Sequence, residues 1–171
     1  GKNTMKQNKA LRARNSKNHT HIIFKNQEHE EFYYSSLKNC RYQDSYHEAL
    51  CYCLGISDDT RRNVNRIYDF KTGYIKTECL HDGWQTSGSL KIVRLAFNLY
   101  TDGVPTVEED DSHEEQLDEC RQYSVSDLFC CSYAKYFWQA IGLRYPEYVN
   151  YRSMEEILYG QSEIAGNKTR Y

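Results

Sequence analysis

Ser87-Gly88-Ser89-Leu90-Lys91-Ile92-Val93-Arg94-Leu95-Ala96-Phe97-Asn98-Leu99-Tyr100 carries the strongest helical pattern in the chain. Ser87 or Ser89 suits an N-cap, and Asp102-Gly103 closes the run. Ile92, Val93, Leu95, Ala96, Phe97 and Leu99 cover well over half of its circumference, too much for a helix lying on a surface. The pattern therefore predicts a central, most buried helix. What is left of its surface is a polar stripe, Lys91, Arg94 and Asn98, spaced by three and four.

Upstream, Asn26 caps a segment running to Asn39, with Phe32, Tyr33 and Leu37 on one face. A second segment, Asp44 to Leu54, turns Tyr46, Ala49, Leu50, Cys53 and Leu54 inward. Gly55 follows it where a left-handed residue would end a helix. Ser57 opens a third segment through Tyr68. Residues 69–88 are the least regular; Gly73 and Asp82-Gly83 mark turns, and Thr77 to Leu80 suits one helical turn. Downstream, short helices are expected from Ser124 or Ser126 to Cys130 and from Ser132 to Arg144, where Pro146 stops the run. Ser153 and Glu156 have capping-box spacing for a last one to Tyr159. The expectation is an all-α domain: six or seven helices around one core, with a small β-hairpin near residues 69–85 as the one β element. Residues 1–20 read as a disordered basic arm, 21–160 as the helical domain with an acidic loop at 102–119, and 161–171 as a flexible tail.

Composition narrows the function classes. Apolar residues make up 39% of 171, and Tyr contributes 16 of them. The longest unbroken apolar stretch, Ala49 to Leu54, is far short of the roughly 20 residues a spanning helix needs, so no membrane partner is expected. The net charge of −2 hides an asymmetry: residues 1–27 hold seven bases and no acid, leaving the rest of the chain at −9. No apolar stretch of secretory-signal length follows those bases. With seven cysteines, an odd count, and no such signal, free thiols and a cytoplasmic setting are expected.

Catalytic and metal motifs are sparse. His47 and Cys51 stand at i, i+4, Cys79 and His81 are one residue apart, and Cys130-Cys131 are adjacent. None has the Cys-x₂₋₄-Cys spacing of a zinc site, so no metal ligand is assigned; a zinc-stabilised domain or small metalloenzyme is the third reading. His81-Asp82 beside Trp84 could form a base and its orienting acid, but a turn histidine next to a turn aspartate is the plainer account. No phosphate-cradling glycine motif is present, no cofactor is expected, and no catalytic residue is assigned.

Two surfaces stand out instead. Between 102 and 119 lie nine carboxylates and no Lys or Arg, among them Glu108, Glu109, Asp110, Asp111, Glu114 and Glu115. Near the C-terminus, Tyr136, Trp138, Tyr145 and Tyr148 are spaced densely enough that some rings must reach solvent, where tyrosine and tryptophan serve as interface anchors. These two groups form the expected interaction surface, with the acids steering a partner, expected to be another protein. A direct nucleic-acid contact through Arg12, Arg14 and the Lys91, Arg94 and Asn98 face is the second reading.

Three stretches add a resemblance: Asp82-Gly83-Trp84-Gln85-Thr86 running into Ser89 to Leu99; Phe129-Cys130-Cys131-Ser132-Tyr133-Ala134 followed by Tyr136-Phe137-Trp138; and Arg144-Tyr145-Pro146-Glu147-Tyr148. Together they resemble a family of small proteins, a domain of unknown function, from gut Firmicutes, often carried on conjugative or phage-like elements. The resemblance spans roughly Phe24 to Tyr148 and carries no catalytic residue. It implies a bacterial cytoplasmic protein of a mobile element. The expected function is a non-catalytic interaction module, in its specific form an inhibitor of a host enzyme that binds nucleic acid.

Overall fold

Asn26, Asp44, Ser57, Thr86, Ser112 and Ser124 each accept a hydrogen bond from a backbone N–H three residues on, and a helix starts after each. The computed structural model describes residues 21–149. Its helices are α1 (Gln27–Asn39), α2 (Ser45–Gly55), α3 (Asp58–Arg62), α4 (Val64–Ile67), α5 (Ser87–Thr101), α6 (His113–Gln122), α7 (Val125–Leu128) and α8 (Ala134–Arg144). A two-stranded antiparallel hairpin, β1 (Tyr68–Asp69) with β2 (Tyr74–Ile75), and a 3-10 turn (Thr77–His81) separate α4 from α5. The all-α expectation holds, with eight helices among the described residues in place of six or seven. The hairpin falls at the start of the expected stretch, around Gly73 in the left-handed region (φ +78°). The basic arm, the helix expected at Ser153 and the C-terminal tail lie outside the described residues. Ile23–Tyr145 form one compact unit; residues 21–22 and 146–149 fall outside it.

The central helix is α2, not the Ser87 helix. It packs against α1, α5 and α8, and all residues from Ala49 to Gly55 are buried. Tyr52 and Cys53 are fully covered alongside Leu50 and Leu54, so from Ala49 onward this helix is enclosed on every side. The Ser87 helix, α5, keeps a half-exposed stripe at Lys91, Arg94 and Asn98.

The end of α2 corrects the reading of Gly55. No left-handed residue ends the helix, since Gly73 is the one described glycine with positive φ and the C-cap Ile56 is itself helical (φ −64°). The last carbonyls are met by side chains instead. His29 reaches Tyr52 O at 2.8 Å, Thr60 donates to Leu54 O at 2.8 Å, and Arg61 donates to Gly55 O at 2.7 Å. Groups from α1 and α3 thus satisfy what a glycine motif would otherwise satisfy through backbone N–H donors.

Helix α5 ends differently. Asp102 is left-handed (φ 60°), a conformation Asp tolerates better than most residues. Arg144, buried at the end of α8, donates through Nε to Leu99 O at 2.9 Å and through Nη2 to Asp102 at 2.8 Å. Its guanidinium carbon lies 3.5 Å from the Tyr46 ring centroid and 4.6 Å from that of Tyr145. Arg144→Met, which keeps the stem but removes the donor to Leu99 O and to Asp102 Oδ1 while Tyr46 Oη still donates to Asp102 Oδ2 at 3.0 Å, is expected to cost about 2 kcal/mol in a urea titration.

Candidate acidic cleft

Pairs of backbone and side-chain contacts shape the acidic segment. It is a loop through Asp111 and then a helix, so the expected acidic loop at 102–119 is helical from His113 onward. Ser112 and Glu115 form a capping box: Ser112 N and Oγ donate to Glu115 Oε2 at 2.9 and 2.7 Å. These bonds hold the Glu115 carboxyl below its usual range. Asp111 Oδ2 accepts from Glu108 N–H at 2.9 Å, and Gln116 donates to Asp111 O at 3.1 Å.

Helix α6 buries no residue. A helix of 10 residues gains little from propensity alone and ordinarily rests an apolar face on a core. Here the inward face is polar. Glu119 accepts from Thr106 Oγ1 at 2.6 Å, Thr106 shares a 2.8 Å bond with Tyr123 Oη, and Arg94 Nε stands 3.5 Å from Glu119 Oε1. That last distance makes an ion pair without a hydrogen bond. Burial pushes the Tyr123 phenol up to about 12. Such an anchor predicts low local stability. Amide hydrogen exchange in α6 is expected to be at least about 100-fold faster than in α2.

Beneath α6 lies a cleft of about 550 Å³. Glu78 and His81 come from the 3-10 turn, Arg94 from α5, Glu108 and Asp111 from the loop, and Glu115, Asp118 and Glu119 from α6. Six carboxylates thus face one arginine and one histidine. Arg121 is paired with Asp118 and Arg94 with Glu119, which leaves the field negative. The expected residues Glu108, Asp111 and Glu115 line this cleft; Glu109, Asp110 and Glu114 are exposed and do not. Sequence reading missed Glu78 and considered His81 only beside Cys79 and Asp82, since nothing local ties a 3-10 turn to a segment 30 residues downstream.

The aromatic anchors do not share one surface. Tyr136 is buried beside His29, and Trp138, two positions and about 200° round the same helix, is exposed. Tyr145 is half-buried against Arg144, and Tyr148 falls outside the Ile23–Tyr145 unit.

The polar stripe of α5 is spent inside the molecule. Lys91 donates to Asp127 O and lies 3.6 Å from its carboxylate, Arg94 pairs with Glu119, and Asn98 donates to Gly103 O at 2.8 Å. It docks α6, α7 and the loop after α5. Arg12 and Arg14 lie outside the described residues. Asp82, the suggested orienter of His81, instead accepts from Trp84 Nε1 at 2.9 Å and Arg66 at 3.1 Å.

A second polar constellation lies on α2. Asp44 bonds His47 Nδ1 at 2.7 Å, His47 Nε2 is 3.4 Å from Tyr100 Oη, and Tyr68 Oη is 3.2 Å from Tyr100 Oη. The Tyr100 hydroxyl proton is committed to Gly73 O at 2.8 Å, so the chain fastens the hairpin turn to α2 and α5. Cys51, expected as a possible partner of His47, contacts Cys40. Among the described residues no three His, Cys, Asp or Glu side chains gather to hold a metal ion.

Among the described residues no helix is long and apolar enough to cross a membrane. Comparison with curated proteins and with solved structures returns no match to the chain. Over residues 19–157, however, it matches a family model that takes in the whole acidic cleft, and on that match the chain belongs to the Family of unknown function (DUF6075).

Proposed function

We propose that the domain is a non-catalytic interaction module that takes a basic segment of a protein partner into the cleft under α6. The observation that carries this reading is the cleft itself, a cavity of about 550 Å³ with carboxylate walls, roofed by a helix that buries no residue. A cationic segment entering there would meet the steering field first and the polar underside of α6 second. The direct nucleic-acid reading is less supported, because Lys91 and Arg94 already have internal carboxylate partners.

The specific form is an inhibitor of an enzyme that binds nucleic acid, whose basic groove the acidic cleft would engage in place of a phosphate backbone. A bacterial cytoplasmic setting on a mobile element of gut Firmicutes belongs to the same proposal and rests on the sequence resemblance. Titration with a fluorescent Lys- and Arg-rich peptide tests the core of it. Binding at low ionic strength that weakens with salt, and falls about 10-fold in Glu78→Gln/Glu108→Gln, supports the proposal. Absent binding at low salt, or binding the double variant leaves untouched, sinks it. A gel shift with DNA or RNA would return the nucleic-acid reading to first place.

A further inference from the structure

Cys40 is the C-cap residue of α1 and Cys51 stands in the middle of α2; their Sγ atoms lie 3.5 Å apart. From this juxtaposition we infer that Cys40 and Cys51 are a modification site, closing to a reversible intramolecular disulfide under a low-molecular-weight disulfide oxidant. A disulfide bond is about 2.05 Å long, so the sulfurs must approach by about 1.5 Å. Cys40 can supply that movement. Its backbone has left the helix (ψ 152°), and its thiol otherwise makes only a long 3.4 Å contact to Ser36 O. Residues 41–44, which follow it, are all exposed, so loosening of that connection admits the oxidant to Cys40.

The order of steps follows from burial, which raises the Cys51 thiol well above its ordinary range and disfavours it as first attacker. Cys40, as thiolate, attacks one sulfur of the oxidant, whose S–S bond breaks to give a mixed disulfide and one small thiolate. Cys51 then loses its proton and attacks the Cys40 sulfur. The Cys40–Cys51 bond forms, the second small thiolate leaves, and the two protein protons end on the two thiolates. Two electrons have passed from protein to oxidant. Cys53, about 200° from Cys51 round the same helix, cannot substitute for it.

The full chain is incubated with oxidised glutathione, unfolded, alkylated with iodoacetamide and digested with trypsin. Cleavage after Lys38, Arg41 and Arg61 places Cys40 in a tripeptide and Cys51 with Cys53 in the peptide 42–61. The expected result is a linkage between these two peptides that persists in Cys53→Ser, is lost in Cys51→Ser and reverts with dithiothreitol. Should Cys51→Ser fail to fold, the wild-type and Cys53→Ser maps decide. Cys40 and Cys51 both recovered alkylated while the exposed Cys120 and Cys130 carry glutathione would overturn the inference, as would a linkage through Cys53.

Discussion

Gly55→Ala lowers the free energy of unfolding by about 3 kcal/mol, against the gain of about 1 kcal/mol that the same change brings in an unobstructed helix. The reversal is local. A Cβ at position 55 would lie 2.5 Å from His29 Cδ2 and 3.1 Å from Phe32 Cδ1. His29 cannot step aside cheaply. Its Nε2 is bonded to Tyr52 O at 2.8 Å, its Nδ1 faces Lys25 N–H at 3.2 Å, and its ring lies 4.5 Å from that of Tyr52. Moving the ring breaks at least one buried hydrogen bond, which costs on the order of 1–3 kcal/mol. Chemical denaturation measures the effect, and Gly83→Ala, with nothing within 4 Å of the added atom, is the control expected within about 0.5 kcal/mol of wild type. Because one clash carries the effect, His29→Ala in the Gly55→Ala background should cost far less than the sum of the single changes. An additive result would remove His29 as the cause.

Local signals in the sequence place the helices well and rank them poorly. Caps such as Asn26, Asp44 and Ser57 act within four residues, so their reading needs no tertiary knowledge. Rank depends on counting apolar surface, and α5 spells its burial in Ile, Val, Leu and Phe. Helix α2 buries Tyr52, Cys51, Cys53 and His47, types that count as polar or ambiguous when the partner of each polar atom is unknown. The Tyr52 hydroxyl donates to Ile23 O, a partner 29 residues away. Gly55 fails for the same reason: its role depends on a histidine 26 positions upstream.

The cleft was half legible. Charge density flags residues 108–119 on its own, and Ser112 with Glu115 has capping-box spacing, yet a run of acids reads as loop because no apolar stripe marks the helix. The missing stripe is informative in itself, since α6 lies over polar groups and a cavity instead of a core. The Lys91, Arg94 and Asn98 stripe reads in sequence as a solvated or salt-bridged face whose partners cannot be named. Only the return of the chain after residue 103 supplies Asp127, Glu119 and Gly103 O as its partners.

Acid should destabilise this protein earlier than carboxylate protonation alone would, and His29 is the reason. The ring is fully buried, and the loss of hydration holds its pKa down to about 4, against 6.5 for a free imidazole. The hydrogen bond to Tyr52 O pulls the other way, while the positive charges of Arg61 and Lys25 reinforce the depression. Geometry agrees. Tyr52 O can only accept, so Nε2 carries the proton, and Nδ1 must then accept from Lys25 N–H; a second proton would confront that donor. The unfolded chain therefore takes up a proton near pH 6.5 that the folded chain refuses until about pH 4. Stability from this group is whole above pH 6.5, declines as pH falls, and is fully lost below about 4, where both states are protonated. The loss across that window is about 3 kcal/mol. Urea titrations at pH 7.5 and pH 4.5 measure it, with His29→Gln as the comparison. Glutamine can still donate to Tyr52 O but does not titrate, so the variant should start less stable and show a shallower slope between the two values. An equal slope in both proteins would place the acid sensitivity elsewhere.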